Sequence, residues 1–212
     1  MIKMLEEGIA AAHLTLPETA CAQLVEYLET LAKWNRIYNL TAIQDPIEMV
    51  QKHVLDSLIL SPYLGPGSII DVGTGAGLPG IPLALSRPNQ SFVLLDSNQK
   101  KITFVEHMIL SLKLKNVVAV CSRVEQYQPE DQFDWVISRA FASLADFARL
   151  CRHLCKPDGH LSAMKGLVSQ TELQGVKPPC RIEKIEEVRV PGLEAARSFV
   201  FMAVDSAGGV SC

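Results

Sequence analysis

The stretch from Ile69 to Pro82 constrains the fold more than any other part of the chain. An apolar run, Ile69-Ile70-Asp71-Val72, enters a turn with glycine at 73, 75, 77 and 80, and Ile81 and Pro82 begin a helical pattern. Glycine adopts positive φ without steric cost, so alternating glycines let the backbone close around a ligand at the carboxyl end of a strand. Two phosphate-binding arrangements are excluded. The dinucleotide fingerprint needs glycines at the first, third and sixth positions, and counting from Gly73 the sixth is Leu78. No Lys-Ser or Lys-Thr pair follows, which removes a phosphate-cradling P-loop.

Short β-rich runs alternate with helical ones on both sides of this turn. Strands are expected at 68–73, 91–96, 116–121, 133–138, 160–165, 181–190 and 197–204. Helices are expected near 79–86, 98–114 and 143–155, with a polar connection near 122–131. Strands separated by helices of this length form βαβ units, hence a parallel sheet covered on both faces. The segment from Pro191 to Arg197 is too short for a parallel crossover, so the last two strands should form a hairpin. The final strand should then run antiparallel, at or near one sheet edge.

Ahead of the sheet, residues 1–64 read as a helical appendage to a compact domain at 65–212. Pro17 suits a first helical position, and Leu24, Val25, Leu28, Leu31 and Ala32 recur at helical spacing up to an end near Asn35 to Asn39. Asp45-Pro46 starts a second helix carrying Ile47, Val50, Val54, Leu55 and Leu58, which stops before Pro62. Trp34 and Tyr38 can stack on a base, but at helical spacing they are expected in the core.

Composition narrows the setting. In 212 residues, 48% are hydrophobic and 20% charged, which excludes a disordered chain and a coiled coil. The longest apolar run, Phe199 to Val204, is far short of the ~18 residues a membrane span needs. Glu6 and Glu7 stand where a signal peptide would be apolar, so a cytoplasmic protein is expected. A net charge of −3 argues against a uniformly basic nucleic-acid binder but leaves room for a local basic face. The cysteines at 21, 121, 151, 155, 180 and 212 include no CxxC pair and are expected to be free buried thiols. Cys151 and Cys155 would share a helix face, but no second ligand pair accompanies them, and no metal is expected.

Three strand ends in succession describe a nucleoside site without phosphate binding. The glycine turn follows the first strand, where Asp71 is placed to order it. Asp96 ends the second strand, where a carboxylate can accept both hydroxyls of a ribose. Val124 and Glu125 follow the third strand, where backbone and side chain can read an adenine edge.

Several motifs together resemble the RsmG (GidB) family of bacterial small-subunit ribosomal RNA guanine-N7 methyltransferases. They are Asn39-Leu-Thr-Ala-Ile43, His53-Val-Leu-Asp56-Ser-Leu58, the run from Asp71 to Leu83, Leu95-Asp96-Ser97 and Ser138-Arg139-Ala-Phe-Ala-Ser-Leu144. The resemblance extends over residues 24 to 204. It implies a Rossmann-like class I S-adenosylmethionine-dependent fold, the seven-stranded α/β sheet expected above, with S-adenosyl-L-methionine as cofactor. It implies cofactor contacts at Gly73, Leu78, Val124, Glu125 and Arg139, to which the reading of the turn adds Asp71, Gly75, Gly77 and Asp96. It further implies transfer to N7 of one guanine of 16S rRNA, position 527 of that RNA. The partner would be the small ribosomal subunit or an assembly intermediate, met by a monomer. Lys101 departs from the family pattern, where arginine is more usual; it keeps the charge and loses the planar fork.

The residues agree with such chemistry partly by omission. Guanine N7 bears a lone pair and no proton, so alkylation needs no general base; orientation alone can supply about 7–11 kcal/mol. After the fourth strand stands Ser138-Arg139-Ala140-Phe141, not the Asn/Asp-Pro-Pro-aromatic turn of amino-methylating enzymes. Cys180, beyond the fifth strand, is not placed as a nucleophile. Arg123, Arg139, Lys165 and Arg197 all fall at the carboxyl edge of the sheet, and together should ring the crevice. Arg139 is assigned to base and cofactor positioning, the only catalytic role proposed, and Arg123, Lys165 and Arg197 to RNA. His53 and Asp56 can form a local pair with no catalytic role. A cofactor-binding ribosome assembly factor and a small-molecule methyltransferase remain alternatives.

Overall fold

The computed structural model describes residues 1–205. Its centre is a seven-stranded sheet made of β1 (Ile69–Val72), β2 (Phe92–Asp96), β3 (Val117–Cys121), β4 (Phe133–Ser138), β5 (Cys155–Lys165), β6 (Cys180–Val188) and β7 (Arg197–Val204). The spatial order is β3-β2-β1-β4-β5-β7-β6. Pairings among β1 to β5 are all parallel, and β7 is antiparallel to both of its neighbours. All four residues of β1 are buried, as a central strand covered on both faces requires. The strand order reverses between β1 and β4, which is where an open α/β sheet leaves a ligand crevice at its carboxyl edge.

The terminal hairpin forms with Val188 opposite Arg197, and its last strand runs antiparallel next to the sheet edge, as expected. β7 carries Phe199, Val200, Phe201 and Met202, all buried, and so inserts between β5 and β6. β6 bears Arg181, Glu183, Lys184, Glu186 and Glu187, charges that suit an exposed edge and discourage pairing with another chain.

Helices cover both faces. On one lie α1 (Ile2–Ala11), α2 (Ala20–Tyr38), α3 (Pro46–Met49), α4 (Asp56–Leu58), α5 (Gly80–Ser86) and α6 (Gln99–Ser111); on the other lie α7 (Leu144–Cys151) and α8 (Gln170–Gln174). Leu5, Leu24, Leu28 and Leu31 of the first two helices join Ile69, Phe92, Phe104 and Phe199 in one buried cluster. Each such side chain contributes roughly 1.5–3 kcal/mol by leaving water. Helix α2 starts at Ala20, later than Pro17, whose carbonyl instead accepts the Ala20 N–H in a turn, and it ends on Asn39 at φ 51°. The Asp45 carboxylate caps α3, as its position before Pro46 suggests. Between α3 and α4 the helix widens into a π-helical stretch, Val50–Leu55, a form often found at functional sites.

Helix α7 stops at Cys151, and a 3-10 turn, Arg152–Leu154, leads into β5 at Cys155, earlier than expected. Cys151 and Cys155 therefore do not share a helix face. Both are buried, as is Cys180, whereas Cys21 is half-buried and Cys121 exposed; Cys212 lies outside the described residues. Among the described residues no group of three or more His, Cys, Asp or Glu is arranged for a metal, and no helix is long and apolar enough to cross a membrane. Trp34 packs on Phe104 at 5.5 Å between ring centres, but Tyr38, the last residue of α2, is 45% exposed.

Helix α2 also reaches the glycine turn. The fully buried Tyr27 hydroxyl donates to the Ala76 carbonyl at 2.8 Å, and burial raises the phenol well above its ordinary range. Tyr27→Phe leaves that carbonyl without its donor and is expected to lower stability by about 1–3 kcal/mol, read as a shift in the urea midpoint with unchanged slope.

Candidate cofactor and acceptor site

Strand β1 delivers Asp71 beneath the turn. One carboxylate oxygen, Oδ2, accepts from Thr74 Oγ1 at 2.6 Å and from the Gly80 amide at 2.9 Å. The Gly73 and Thr74 amides donate to the Leu95 carbonyl on β2, at 2.8 and 3.0 Å, and Ser138 Oγ on β4 donates to Val72 O at 2.6 Å. The turn is thus tied to its own strand and to both flanking strands. Gly73, Gly75 and Gly77 hold φ of 73°, 61° and 90°. A Cβ on Gly73 would come within 2.6 Å of the Ala140 methyl, so the first glycine is demanded by space as well as by backbone.

Asp96 fastens the turn from the second strand. Its Oδ2 accepts from the Gly75 amide at 2.9 Å, and its Oδ1 from the Asn98 amide at 2.8 Å, where α6 begins. Asp96 also lines an open cavity of about 240 Å³, together with Gly73, Ser122, Arg123, Val124 and Glu125, among others. A second cavity of about 130 Å³ shares Gly73 and Ala140 with the first and is bounded by Thr41, His53, Gly75, Leu78 and Arg139. His53 and Arg139 also belong to a third space of about 330 Å³, together with Asp56, Lys165 and Arg197. The three spaces form a trough along the carboxyl edge. Of the residues singled out in the sequence, Asp71 and Gly77 line none of it: Asp71 has no exposure, and Gly77 turns the chain above Ile81.

The four cations do not stand as a free ring. Asp56, 4% exposed at its side chain, holds Arg139 through Oδ2 (Nη1, 3.2 Å) and Arg197 through Oδ1 (Nε, 2.6 Å). Arg139 Nη1 also donates to the Lys52 carbonyl at 3.1 Å. Lys165 pairs with Glu172 at 2.8 Å and donates to the Ala142 carbonyl at 2.8 Å. Arg123 is exposed and makes no ion pair with the described residues. Three half-buried cations near one edge are stabilised by counter-charges, and Asp56 and Glu172 supply them.

Nor do His53 and Asp56 pair with each other as a three-residue helical spacing suggests, because the helix between them is π-wound and Asp56 faces the guanidiniums. His53 Nε2 lies 2.9 Å from Thr41 Oγ1. Burial and the Arg139 charge push the imidazole down to about 4, so it is neutral at physiological pH. Thr41 is fixed in turn, its amide donating to Asn35 Oδ1 at 2.8 Å. Asn35 and Tyr27 were not among the expected site residues. Their signal was present, since each is a polar group on the otherwise leucine-rich buried stripe of α2.

Comparison with known proteins follows the same lines. A family model described as GidB, rRNA small subunit methyltransferase G, matches residues 20–200. The chain belongs to the GidB family. Proteins named ribosomal RNA small subunit methyltransferase G include one from Haemophilus influenzae strain PittEE, 46% identical over 92% of this chain and 96% of its own length. Another, from Pasteurella multocida, is 48% identical over 93% and 94%. Among solved structures, a SAM-dependent methyltransferase from Aquifex aeolicus superposes with a TM-score of 0.58 at 16% identity, over 78% of this chain and 97% of that one. The fold is thus the class I methyltransferase fold, and the cofactor of this GidB member is S-adenosylmethionine. The site fits that group: the turn has no room for a Cβ at Gly73, and the carboxylate of Asp96, an acceptor for hydroxyl donors, lines the cavity beside it.

Burial raises Asp71 from 3.8 to about 6, against the pull of its two donors. Between those values the unfolded carboxyl is ionised while the folded one retains its proton, so the folded chain binds more protons and stability falls as pH rises through the window. Relative to Asp71→Asn, which lacks this titration, the wild type is expected to lose up to about 3 kcal/mol between about pH 4 and 7. Urea unfolding of both proteins across that range measures the difference.

Proposed function

We propose that this protein transfers the methyl group of S-adenosylmethionine to N7 of one guanine in small-subunit ribosomal RNA. The observation that supports this most is the continuity of the trough. The cavity at the glycine turn opens past Gly73 and Ala140 into a space walled by Arg139, Arg197 and Asp56. When bound, the cofactor supplies an electrophilic methyl on a positively charged sulfur.

The acceptor nitrogen carries a lone pair and no proton, so the protein's task is orientation rather than proton removal. The neutral, buried His53 is consistent with that division, since no base in the trough is required to titrate. Arg139, shared by two of the spaces, positions the purine through O6 beside N7, and Arg123, Lys165 and Arg197 face the RNA. Methylation makes the purine cationic. Two unbalanced guanidiniums would oppose that charge, and the Asp56 carboxylate between them offsets it. The acceptor is the small subunit or its assembly intermediate, met in the cytoplasm, in keeping with the names of the family's members.

The test is to incubate the protein with methyl-labelled cofactor and either purified small subunits or naked rRNA, then to map modified guanines by borohydride–aniline cleavage. One cleavage at a single small-subunit guanine is expected, and Arg139→Ala should lower the rate roughly 100-fold or more. Label confined to small molecules, or tight RNA binding without label, would contradict the assignment.

A further inference from the structure

We infer that the ribosomal RNA backbone docks on a basic ridge formed by the C-terminal end of α2 and the N-terminal end of α6, beside the glycine turn. This deepens the proposed function, on which it rests, by naming the surface that meets the RNA.

The two helices lie antiparallel. At one end Gln23 Nε2 donates to the Leu112 carbonyl at 3.0 Å and Ser111 Oγ to Glu26 at 2.5 Å. Further along, Trp34 packs against Phe104 and His107 at 5.5 and 5.2 Å between ring centres. The end of α2 therefore lies with the start of α6, and α6 starts directly after Asp96, at the carboxyl edge of the sheet. Past α2, Leu40 and Thr41 line the second cavity. The Lys101 ammonium lies 4.0 Å from where a Cβ on Gly75 would stand. The ridge thus borders the trough.

Its charge is one-sided. Residues 33–38 and 97–105 contain Lys33, Arg36, Lys100 and Lys101 and no acidic residue, in a chain whose net charge is −3. Lys33, Arg36 and Lys100 are exposed. None of the four makes an ion pair with the described residues, unlike Lys52, Arg139, Lys165 and Arg197 nearby, which all do. Lys100 and Lys101 also occupy the first turn of α6, which holds no acid. Cations there oppose the helix dipole, so the free protein retains an unfavourable charge arrangement that a phosphate backbone would relieve. Beside them Ile37 is 73% exposed and Tyr38 45%, an apolar and aromatic surface on which an unpaired base can rest. Lys165 and Arg197, already neutralised by Glu172 and Asp56, release fewer counter-ions on binding than the ridge does.

The experiment is filter binding of labelled small-subunit rRNA to the full chain at rising KCl, without cofactor, so that RNA binding is read apart from methyl transfer. The triple substitution Lys33→Ala, Arg36→Ala, Lys100→Ala should weaken binding at least tenfold at low salt. It should flatten the slope of log Kd against log salt by about two, because three phosphates then keep their counter-ions. Calorimetric affinity for S-adenosylmethionine should be unchanged. Lys115→Ala with Lys177→Ala, at the opposite, amino edge of the sheet, should leave the slope as in the wild type. An unchanged slope in the triple variant, or an equal fall per charge in the distal pair, overturns the docking surface. RNA bound by the wild type but never methylated would instead overturn the proposed function.

Discussion

Everything functional in this molecule hangs on a turn too tight to admit a side chain at its first residue. Gly73 sits at φ 73°, with the Ala140 methyl where its own Cβ would be. Such a backbone is unfavourable unless its surroundings hold it. Here they do so from several sides: Asp71 through Thr74 and Gly80, Leu95 through two amides, Asp96 through Gly75, and Tyr27 through Ala76. The last of these comes from a helix far away in sequence. The N-terminal helices are therefore part of the machinery that shapes the turn, because their leucines share a core with the sheet and their polar exceptions reach the site.

Electrostatics follows a similar economy. A pocket for a purine and its phosphates needs cations, yet methylation of N7 leaves a positive charge on the purine. Sharing one buried carboxylate between Arg139 and Arg197 keeps both guanidiniums ordered while lowering the local charge. Cations that only attract the backbone need no such restraint. Arg139, Lys165 and Arg197 are paired inside the trough, whereas Arg123 at its mouth and the cations of the α2–α6 ridge make no ion pair with the described residues.

What could be read in the sequence was what is local. The glycine turn, Asp96 at a strand end and the strand–helix alternation are short-range patterns, and each expected strand is found. That β7 runs antiparallel near the edge was legible from the short hairpin; that it, and not β6, meets β5 was not, and the burial of Phe199 to Met202 decides it. Likewise Arg139 and Arg197 are 83 and 141 residues from Asp56, so their neutralisation is a property of the folded sheet edge and not of any motif. The early start of β5 and the π-helical stretch at Val50–Leu55 depend on packing that a period-based reading cannot see.

Calorimetric titration of S-adenosylmethionine into the wild type and Gly73→Ala, side by side, tests the central claim most directly. Saturable one-site binding to the wild type is expected, with a loss of at least 100-fold in affinity for the variant and the far-ultraviolet spectrum retained. Equal affinity in the two proteins, or no binding to the wild type, would contradict it.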